Sequence, residues 1–153
     1  MPSHTEHKIL PYTSKQMLDL VLDIENYPQF LPWCLAGRIT KLIDDNHFIA
    51  DLVISFKAFT QKYTSDVKTA KISENEYKVE VVAIDGPFQN LVNHWRFQDL
   101  PNYPKPHSKI EFFIDFDFKS KIFGKMIGLV FEKATNKMIN AFEKRAHQLY
   151  NKS

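Results

Sequence analysis

Residues 108–118 read SKIEFFIDFDF, and this stretch decides the fold class. Apolar side chains recur at every second position, and acidic side chains stand between them. Successive side chains of a strand point to opposite faces, so the pattern predicts one apolar and one polar face. Such strands are typical of antiparallel sheets that are covered on one side. The apolar set is Ile110, Phe112, Ile114, Phe116 and Phe118, and the acidic set is Glu111, Asp115 and Asp117.

The same alternation extends upstream from this stretch. It predicts further strands over 47–58, 59–69, 77–84 and 91–98, and a short strand over 5–10. Residues 100–106 (LPNYPKP) contain three prolines, which exclude the interior of a strand or helix. Because the patterns on both sides match, we interpret this segment as a hairpin loop and not as a domain boundary.

Helical patterning surrounds the strands. Thr13 or Ser14 can cap a helix with an apolar side, and a short broken helix is predicted over Tyr27–Trp33. From Lys121 onward the period becomes helical, which predicts a helix of about thirty residues and roughly 45 Å. A curved antiparallel sheet wrapped around this C-terminal helix would cover every apolar face. We therefore expect an α+β fold in which residues 1–153 form a single domain.

Two glycines, Gly124 and Gly128, lie four residues apart near the start of the C-terminal helix. Each lowers helix propensity by about 1 kcal/mol relative to alanine. Two interpretations are open: the helix backbone packs closely against the sheet there, or it leaves room for a ligand.

Composition narrows the class of protein. The chain is 44% hydrophobic and 25% charged, and aromatic residues reach 14% with 13 Phe, so we expect a folded domain with a Phe-rich interior. It contains no apolar run long enough to span a bilayer, and MPSHTEHKIL does not resemble a secretory signal. The single cysteine, Cys34, excludes an internal disulfide and suits a reducing compartment. We expect a cytoplasmic protein, with a peripheral position at the inner membrane left open.

Charge is distributed unevenly along the chain. Residues 119–153 contain seven Lys and one Arg against two Glu, although the formal net charge of the whole chain is only +2. A basic segment of this kind indicates either an anionic partner or a solvated helix face. The candidate surface-binding residues are Lys121, Lys125, Lys133, Lys137, Lys144 and Arg145.

The motifs of common enzymes are missing from the sequence. It has no Gly-rich phosphate loop, no HExxH and no nucleophile elbow, and its histidines are scattered. We expect no catalytic residues, no metal site and no required cofactor. The acidic stripe at 111–117 is expected to face solvent, and Cys34 to be a small buried side chain. Gln61, Ser65 and Asn93 fall on apolar strand faces, where they could donate hydrogen bonds to a ligand or be satisfied within the protein.

Several segments resemble a known family. They are 27–34 (YPQFLPWC), 48–56 (FIADLVISF), 63–65 (YTS), 86–88 (GPF) with Trp95, and 138–146 (MINAFEKRA). Together they resemble the coenzyme Q-binding START-domain family of the polyketide cyclase/START-like superfamily, which implies a helix-grip fold. The resemblance also implies two alternative roles. One is non-enzymatic binding of ubiquinone in support of respiratory electron transport, and the other is a ribosome-association toxin that binds the large ribosomal subunit and blocks subunit association.

The resemblance further implies a lipid-binding cavity between sheet and helix. The segment 26–34 (NYPQFLPWC) would form its rim, or would only plug the open end of the sheet. An isoprenoid quinone is the expected ligand, and contact with a membrane or a large ribosomal subunit is the expected partnership. The expected lining residues are Phe30, Leu31, Trp33, Phe56, Tyr63, Val81, Phe88, Trp95, Phe97, Phe112, Phe116, Phe123, Met126, Ile127 and Val130.

Overall fold

Seven strands form one antiparallel sheet in the order β1-β7-β6-β5-β4-β3-β2. The structure, a computed structural model, describes residues 3–56, 59–128 and 131–150. The strands are β1 Ser3–Leu10, β2 Cys34–Asp44, β3 His47–Phe56, β4 Phe59–Ser73, β5 Glu76–Asp85, β6 Phe88–Leu100 and β7 His107–Phe118. The helices are α1 Ser14–Leu22, a 3₁₀ helix Ile24–Gln29, α2 Lys121–Gly128 and α3 Phe131–Tyr150.

The predicted strands are confirmed over the described residues, and most are longer than the pattern indicated; residues 57–58 of the strand predicted over 47–58 lie outside the described part of the chain. The proline-rich segment 101–106 joins β6 to β7 as a hairpin connection, with Leu100 paired to His107. Strand β2 was not predicted. It lies at the edge of the sheet, where β3 is its one partner among the described strands, and most of its residues are exposed. Because an edge strand with little buried surface needs no apolar face, its sequence lacks the alternation that identified the others.

Thr13 begins α1 through a capping box with Gln16, as one of the two alternatives predicted. Ser14 has a different role: its backbone N–H and its Oγ both donate to the Asp99 carboxylate, at 2.7 and 2.8 Å. The broken helix predicted over Tyr27–Trp33 lies earlier in the chain, as the 3₁₀ helix Ile24–Gln29 with Pro28 inside it.

The C-terminal helices cover the apolar face of the curved sheet, which confirms the helix-grip arrangement. The helix predicted from Lys121 corresponds to α2 and α3, and residues 129–130 between them lie outside the described part of the chain. Phe142 of α3 lies at the centre of the core. Its ring contacts Tyr27, Phe30 and Trp95, with ring centroids 5.2–5.5 Å apart.

Candidate ligand-binding site

Two adjoining cavities lie between the sheet and α3. The outer cavity has a volume of about 170 Å³ and is walled mostly by half-buried residues, among them Trp33, Phe88 and Phe131. The inner cavity has a volume of about 120 Å³ and is walled mostly by buried residues. Both cavities share the lining residues Tyr63, Leu91, Ile114 and Met138.

Small side chains on the sheet explain the inner cavity. Ser65 on β4 is paired with Ala50 on β3 and with Ala83 on β5, so three small residues lie side by side across the sheet. Interiors are normally packed to the density of organic crystals. Two residues of this row, Ala50 and Ser65, line the inner cavity, where their small side chains leave space that neighbouring side chains do not fill.

The cavity walls carry no charge in the part of the chain that the structure describes. Transfer of an ionised group into such a site would cost several kcal/mol without a partner charge. The arrangement therefore suits a neutral, largely apolar ligand. Each cavity is below the roughly 300 Å³ at which sites for drug-sized ligands begin, so a larger ligand would occupy both.

Tyr63 stands between the two cavities, and Gly86 determines where its ring lies. Gly86 has φ +130°, and a Cβ atom built on it would lie 2.5 Å from the Tyr63 Cβ. The glycine thus lets the chain pass directly over Tyr63. Phe88 then packs edge-on against the Tyr63 ring, with centroids 5.1 Å apart. Burial raises the pKa of the Tyr63 phenol well above its ordinary value, so it remains a hydroxyl donor.

Asn93, one of the three polar candidates for a ligand contact, is hydrogen-bonded within the protein. Its amide nitrogen donates to the Phe113 carbonyl at 2.9 Å, and its oxygen accepts from Trp95 Nε1 at 3.0 Å. Asn93 therefore holds the Trp95 indole in the inner wall. Gln61 is exposed and lines neither cavity, so its selection as a ligand donor is wrong. Ser65 alone of the three is both buried and unpartnered among the described residues.

Segment 26–34 combines the two interpretations left open by the sequence. Tyr27 and Phe30 act as a plug, because their rings pack on Phe142 and the Tyr27 hydroxyl donates to the Val21 carbonyl. Leu31 lines the inner cavity and Trp33 lines the outer one. The segment thus closes one end of the sheet and also forms part of both cavity walls.

The structure brings about half of the predicted lining residues to the cavities. Those in place are Leu31, Trp33, Tyr63, Val81, Phe88, Trp95 and Phe116. Phe30, Phe97, Phe112, Phe123 and Met126 line neither cavity. Phe97 and Phe112 are buried in the core, while Met126 is 39% exposed on α2. Val130 and the side chains of Phe56 and Ile127 lie outside the described residues.

Several lining residues were not predicted, although the strand and helix patterns of the sequence place them on inward faces. Ile114 and Phe118 continue the alternation of Phe112 and Phe116 on β7, and both face inward. On α3, Phe131, Ala134 and Met138 follow helical spacing and line the outer cavity. A preference for aromatic residues explains the omission of Ile114, Ala134 and Met138, but not that of Phe118 and Phe131.

The helix glycines do not pack against the sheet. A Cβ atom built on Gly124 or Gly128 would meet nothing within 4 Å among the described residues. Close backbone packing is therefore wrong as the explanation for either glycine. Neither residue lines the two cavities, so the alternative of ligand room beside them is not met there either.

The lysines predicted to bind an anionic surface are all exposed, namely Lys121, Lys125, Lys133, Lys137 and Lys144. Their ammonium groups form no ion pair with any described carboxylate. Arg145, predicted as a surface-binding residue, lies in a different environment from these lysines. It is half-buried, its guanidinium lies 5.3 Å from the centre of the Phe30 ring, and its Nη2 donates to Gln29 Oε1 at 3.3 Å. Arg145 therefore joins α3 to segment 26–34.

The remaining polar residues place no carboxylate or imidazole on the cavity walls among the described residues. Burial raises the pKa of the Cys34 thiol to about 11, as expected for a buried structural cysteine. The acidic stripe lies on the outer face but is half-buried and not fully exposed as predicted, with Glu111 paired to Lys109 at 3.2 Å. Over the described ranges no group of three potential metal ligands comes together, and no helix there is long and apolar enough to cross a membrane.

Comparisons with known proteins agree with this architecture. The family profile described as polyketide cyclase/dehydrase and lipid transport matches residues 10–143. The ribosome association toxin RatA of Rickettsia prowazekii is 45% identical, over 97% of this chain and 99% of the toxin. The mitochondrial coenzyme Q-binding protein COQ10 homolog B of Xenopus laevis is 28% identical, over 96% of this chain and 59% of that protein.

A solved structure shows the same fold. A fragment of the STAR-related lipid transfer protein of Xanthomonas axonopodis superposes with a TM-score of 0.80, over 95% of this chain and 85% of the other. Its identity to this chain is only 11%, so the likeness concerns the fold alone. The START-like resemblance found in the sequence motifs is thus confirmed by both kinds of comparison.

Proposed function

This chain belongs to the polyketide cyclase/dehydrase and lipid transport family, and from that premise we propose that it binds a neutral isoprenoid lipid between its sheet and α3. Ubiquinone is the first candidate, in support of respiratory electron transport. The observation that carries the proposal is the pair of adjoining cavities, which are walled by aromatic and aliphatic side chains without a charged residue among those described. Burial of the ligand at roughly 25 cal/mol per Å² would supply most of the affinity.

The proposed role is binding without catalysis. No carboxylate or imidazole lines either cavity among the described residues, so the walls offer no general acid–base pair. The relatives named above as a toxin and as a coenzyme Q-binding protein are consistent with this role.

The test begins with mass spectrometry of organic extracts from protein purified from a host that makes ubiquinone. Met138→Trp is the decisive variant, because Met138 lines both cavities and the larger ring would obstruct the space where they adjoin. Met126→Trp is the matched control, since Met126 is exposed and lines neither. We expect stoichiometric ubiquinone in the wild type and the control, and its loss in Met138→Trp. Extracts free of quinone from all three proteins would refute ubiquinone as the ligand.

A second candidate function is association with the large ribosomal subunit. Two observations favour it: the 45% identity to a ribosome association toxin over nearly the whole of both chains, and the exposed lysines of α2 and α3, which pair with no described carboxylate. Lys133, Lys137 and Lys144 are spaced so that they lie along one face of α3. Such a row can contact phosphates of ribosomal RNA without reading its sequence.

Charge reversal tests this candidate. Lys133→Glu with Lys137→Glu is expected to abolish cosedimentation with large ribosomal subunits at low salt. The control pair is Lys41→Glu with Lys105→Glu, which are exposed lysines outside the C-terminal helices. Because the cavities are untouched, quinone content should not change in either double variant. Equal cosedimentation of both double variants with the wild type would exclude the α3 lysines from any ribosome contact.

A membrane surface is the proposed place where the lipid is collected. Helix α2 exposes Ile122 at 76% and Met126 at 39%, and Lys121 and Lys125 stand beside them. Apolar side chains flanked by lysines suit the interface of an anionic bilayer, where each lysine adds about 1 kcal/mol.

A further inference from the structure

We infer that Tyr63 and Ser65 form a polar subsite in the inner cavity, which binds the oxygen-bearing end of a neutral, carbonyl-containing ring while the apolar tail lies in the outer cavity. This inference rests on the proposed function, because it concerns the same cavities. It adds which chemical group is recognised, by which atoms, and in which direction the ligand lies.

The Ser65 hydroxyl is the first observation. Ser65 is 2% exposed, lines the inner cavity, and its Oγ has no hydrogen-bond partner among the described residues. A buried hydroxyl without a partner is costly, and most buried polar side chains are satisfied. A ligand oxygen in the inner cavity would supply the missing partner.

The Tyr63 hydroxyl is the second observation. Tyr63 stands two residues before Ser65 on β4, so both side chains lie on the inward face of the same strand. The hydroxyl forms no hydrogen bond with another described residue, and its ring borders both cavities. Because burial raises its pKa, the phenol keeps its proton and can donate a hydrogen bond to a ligand carbonyl.

The direction of the ligand follows from two side chains of the outer cavity, Ser55 and Thr135. Their hydroxyl groups already form hydrogen bonds within the protein. Ser55 Oγ is hydrogen-bonded to Thr60 Oγ1 at 3.2 Å, and Thr135 Oγ1 donates to the Phe131 carbonyl at 2.8 Å. The rest of that wall is aromatic or aliphatic. A hydrocarbon tail therefore suits the outer cavity, whereas Ser65, the buried hydroxyl without a described partner, lines the inner cavity alone and favours a ligand oxygen there.

Hydroxyl deletions test the subsite in the purified, ligand-free protein with decylubiquinone as the probe. Ser65→Ala and Tyr63→Phe each remove one hydroxyl and keep the remaining shape. Each is expected to weaken binding by roughly 2- to 12-fold, the range for one hydrogen bond, and together they should weaken it further. Ser108→Ala and Tyr77→Phe are the matched controls, because neither residue lines the two cavities and Ser108 is also a buried, unpartnered serine. Both controls should bind decylubiquinone as the wild type does.

The two tryptophans test the direction of the ligand. Trp95 lines the inner cavity and Trp33 the outer one, and the chain has only these two. Quinone rings quench indole fluorescence at short range. In Trp33→Phe, where Trp95 is the reporter, decylubiquinone should quench strongly. In Trp95→Phe, where Trp33 is the reporter, quenching should be weaker.

The outcomes separate the subsite from the proposed function. Binding to the wild type with unchanged affinity in Ser65→Ala and Tyr63→Phe would overturn the subsite and leave lipid binding standing. Stronger quenching of Trp33 than of Trp95 would overturn the direction. No binding of decylubiquinone to the wild type would overturn both the subsite and the proposed ligand.

Discussion

Three serines, Ser14, Ser65 and Ser108, are buried, and they differ in whether another group accepts a hydrogen bond from the hydroxyl. Ser14 Oγ donates to the Asp99 carboxylate at 2.8 Å, whereas Ser65 and Ser108 have no partner for Oγ among the described residues. At similar burial, the serine hydroxyl thus forms a structural hydrogen bond in one place, at Ser14. In the other two places no described group of the protein forms a hydrogen bond with the hydroxyl.

Substitution by alanine should separate these serines. Ser14→Ala leaves a carboxylate short of one hydrogen bond and should lower the free energy of unfolding by about 1–3 kcal/mol. Ser65→Ala and Ser108→Ala remove an unsatisfied hydroxyl and should leave that free energy unchanged or raise it by about 1 kcal/mol. Urea unfolding of the three ligand-free variants measures this. A loss at Ser65 as large as that at Ser14 would show that a group of the protein does satisfy Ser65.

Gly86 and Gly124 should respond in opposite ways to alanine. Gly86→Ala places a methyl group against Tyr63 at a positive φ and should lower the free energy of unfolding by at least about 1–3 kcal/mol. Gly124→Ala adds a methyl group in open space on a helix and should raise it by up to about 1 kcal/mol. Thermal unfolding checks both. A neutral Gly86→Ala would mean that the chain over Tyr63 is not closely constrained.

At the scale of elements, α3 is fastened to β1 by charge as well as by packing. Lys8 Nζ lies 2.7 Å from Glu143 Oε1, and Tyr12 shares a hydrogen bond with His147 one turn further along α3. The hydrogen bond from Lys8, then the charges of Lys8 and His147, outweigh burial and hold the pKa of Glu143 below its usual value of 4.5. The contact therefore stabilises the folded chain most at pH values at which Glu143 is ionised in both the folded and the unfolded chain.

This contact gives a pH-dependent prediction. Since the folded pKa of Glu143 is lowered, its stabilisation is present above about pH 4.5 and is lost as the pH falls through the folded pKa. Glu143→Gln should lower the free energy of unfolding by up to about 1 kcal/mol at pH 7, and the difference should vanish at low pH. Glu74→Gln, at the highly exposed Lys71–Glu74 pair, is the control and should change little at any pH. A difference that persists below the folded pKa would contradict the assignment.

Helix α2 carries a separate prediction about membranes. Ile122→Glu with Met126→Glu removes the exposed apolar side chains that would enter the interface and should weaken binding to vesicles containing phosphatidylglycerol by at least roughly tenfold. Leu42→Glu with Ile43→Glu, an equally exposed apolar pair on the edge strand β2, is the control. Vesicle cosedimentation measures both. An equal loss in both pairs would mean that exposed apolar surface in general, and not α2, binds the vesicles.

At the scale of the whole molecule, the cavities connect elements that are distant in the sequence. Their walls combine segment 26–34, strands β3 to β7 and α3. A ligand that fills them would contact most of the fold at once, so binding should stabilise the domain as a unit.

Decylubiquinone should therefore raise the free energy of unfolding of the whole chain. At a free concentration of about 100 times its Kd the increase should be about 2.7 kcal/mol, or a rise in Tm of roughly 5–10 °C. Met138→Trp, with the space between its cavities obstructed, should show a much smaller rise. Differential scanning fluorimetry checks this, and an equal rise in wild type and Met138→Trp would place the bound quinone outside the cavities.

The sequence by itself determined the elements and their faces. Period-two strands such as 108–118 and the helical pattern after residue 120 identify which side chains are buried, because local backbone geometry alone decides which residues share a face. Strand β2 escaped this reasoning, because an exposed edge strand has no apolar face to reveal it. The tertiary structure alone decided which inward residues leave a gap. The pairing of Ala50 with Ser65 depends on strand register, and register joins residues that no local pattern relates. For the same reason the sequence could not tell that Phe97 fills the core while Tyr63 borders a cavity.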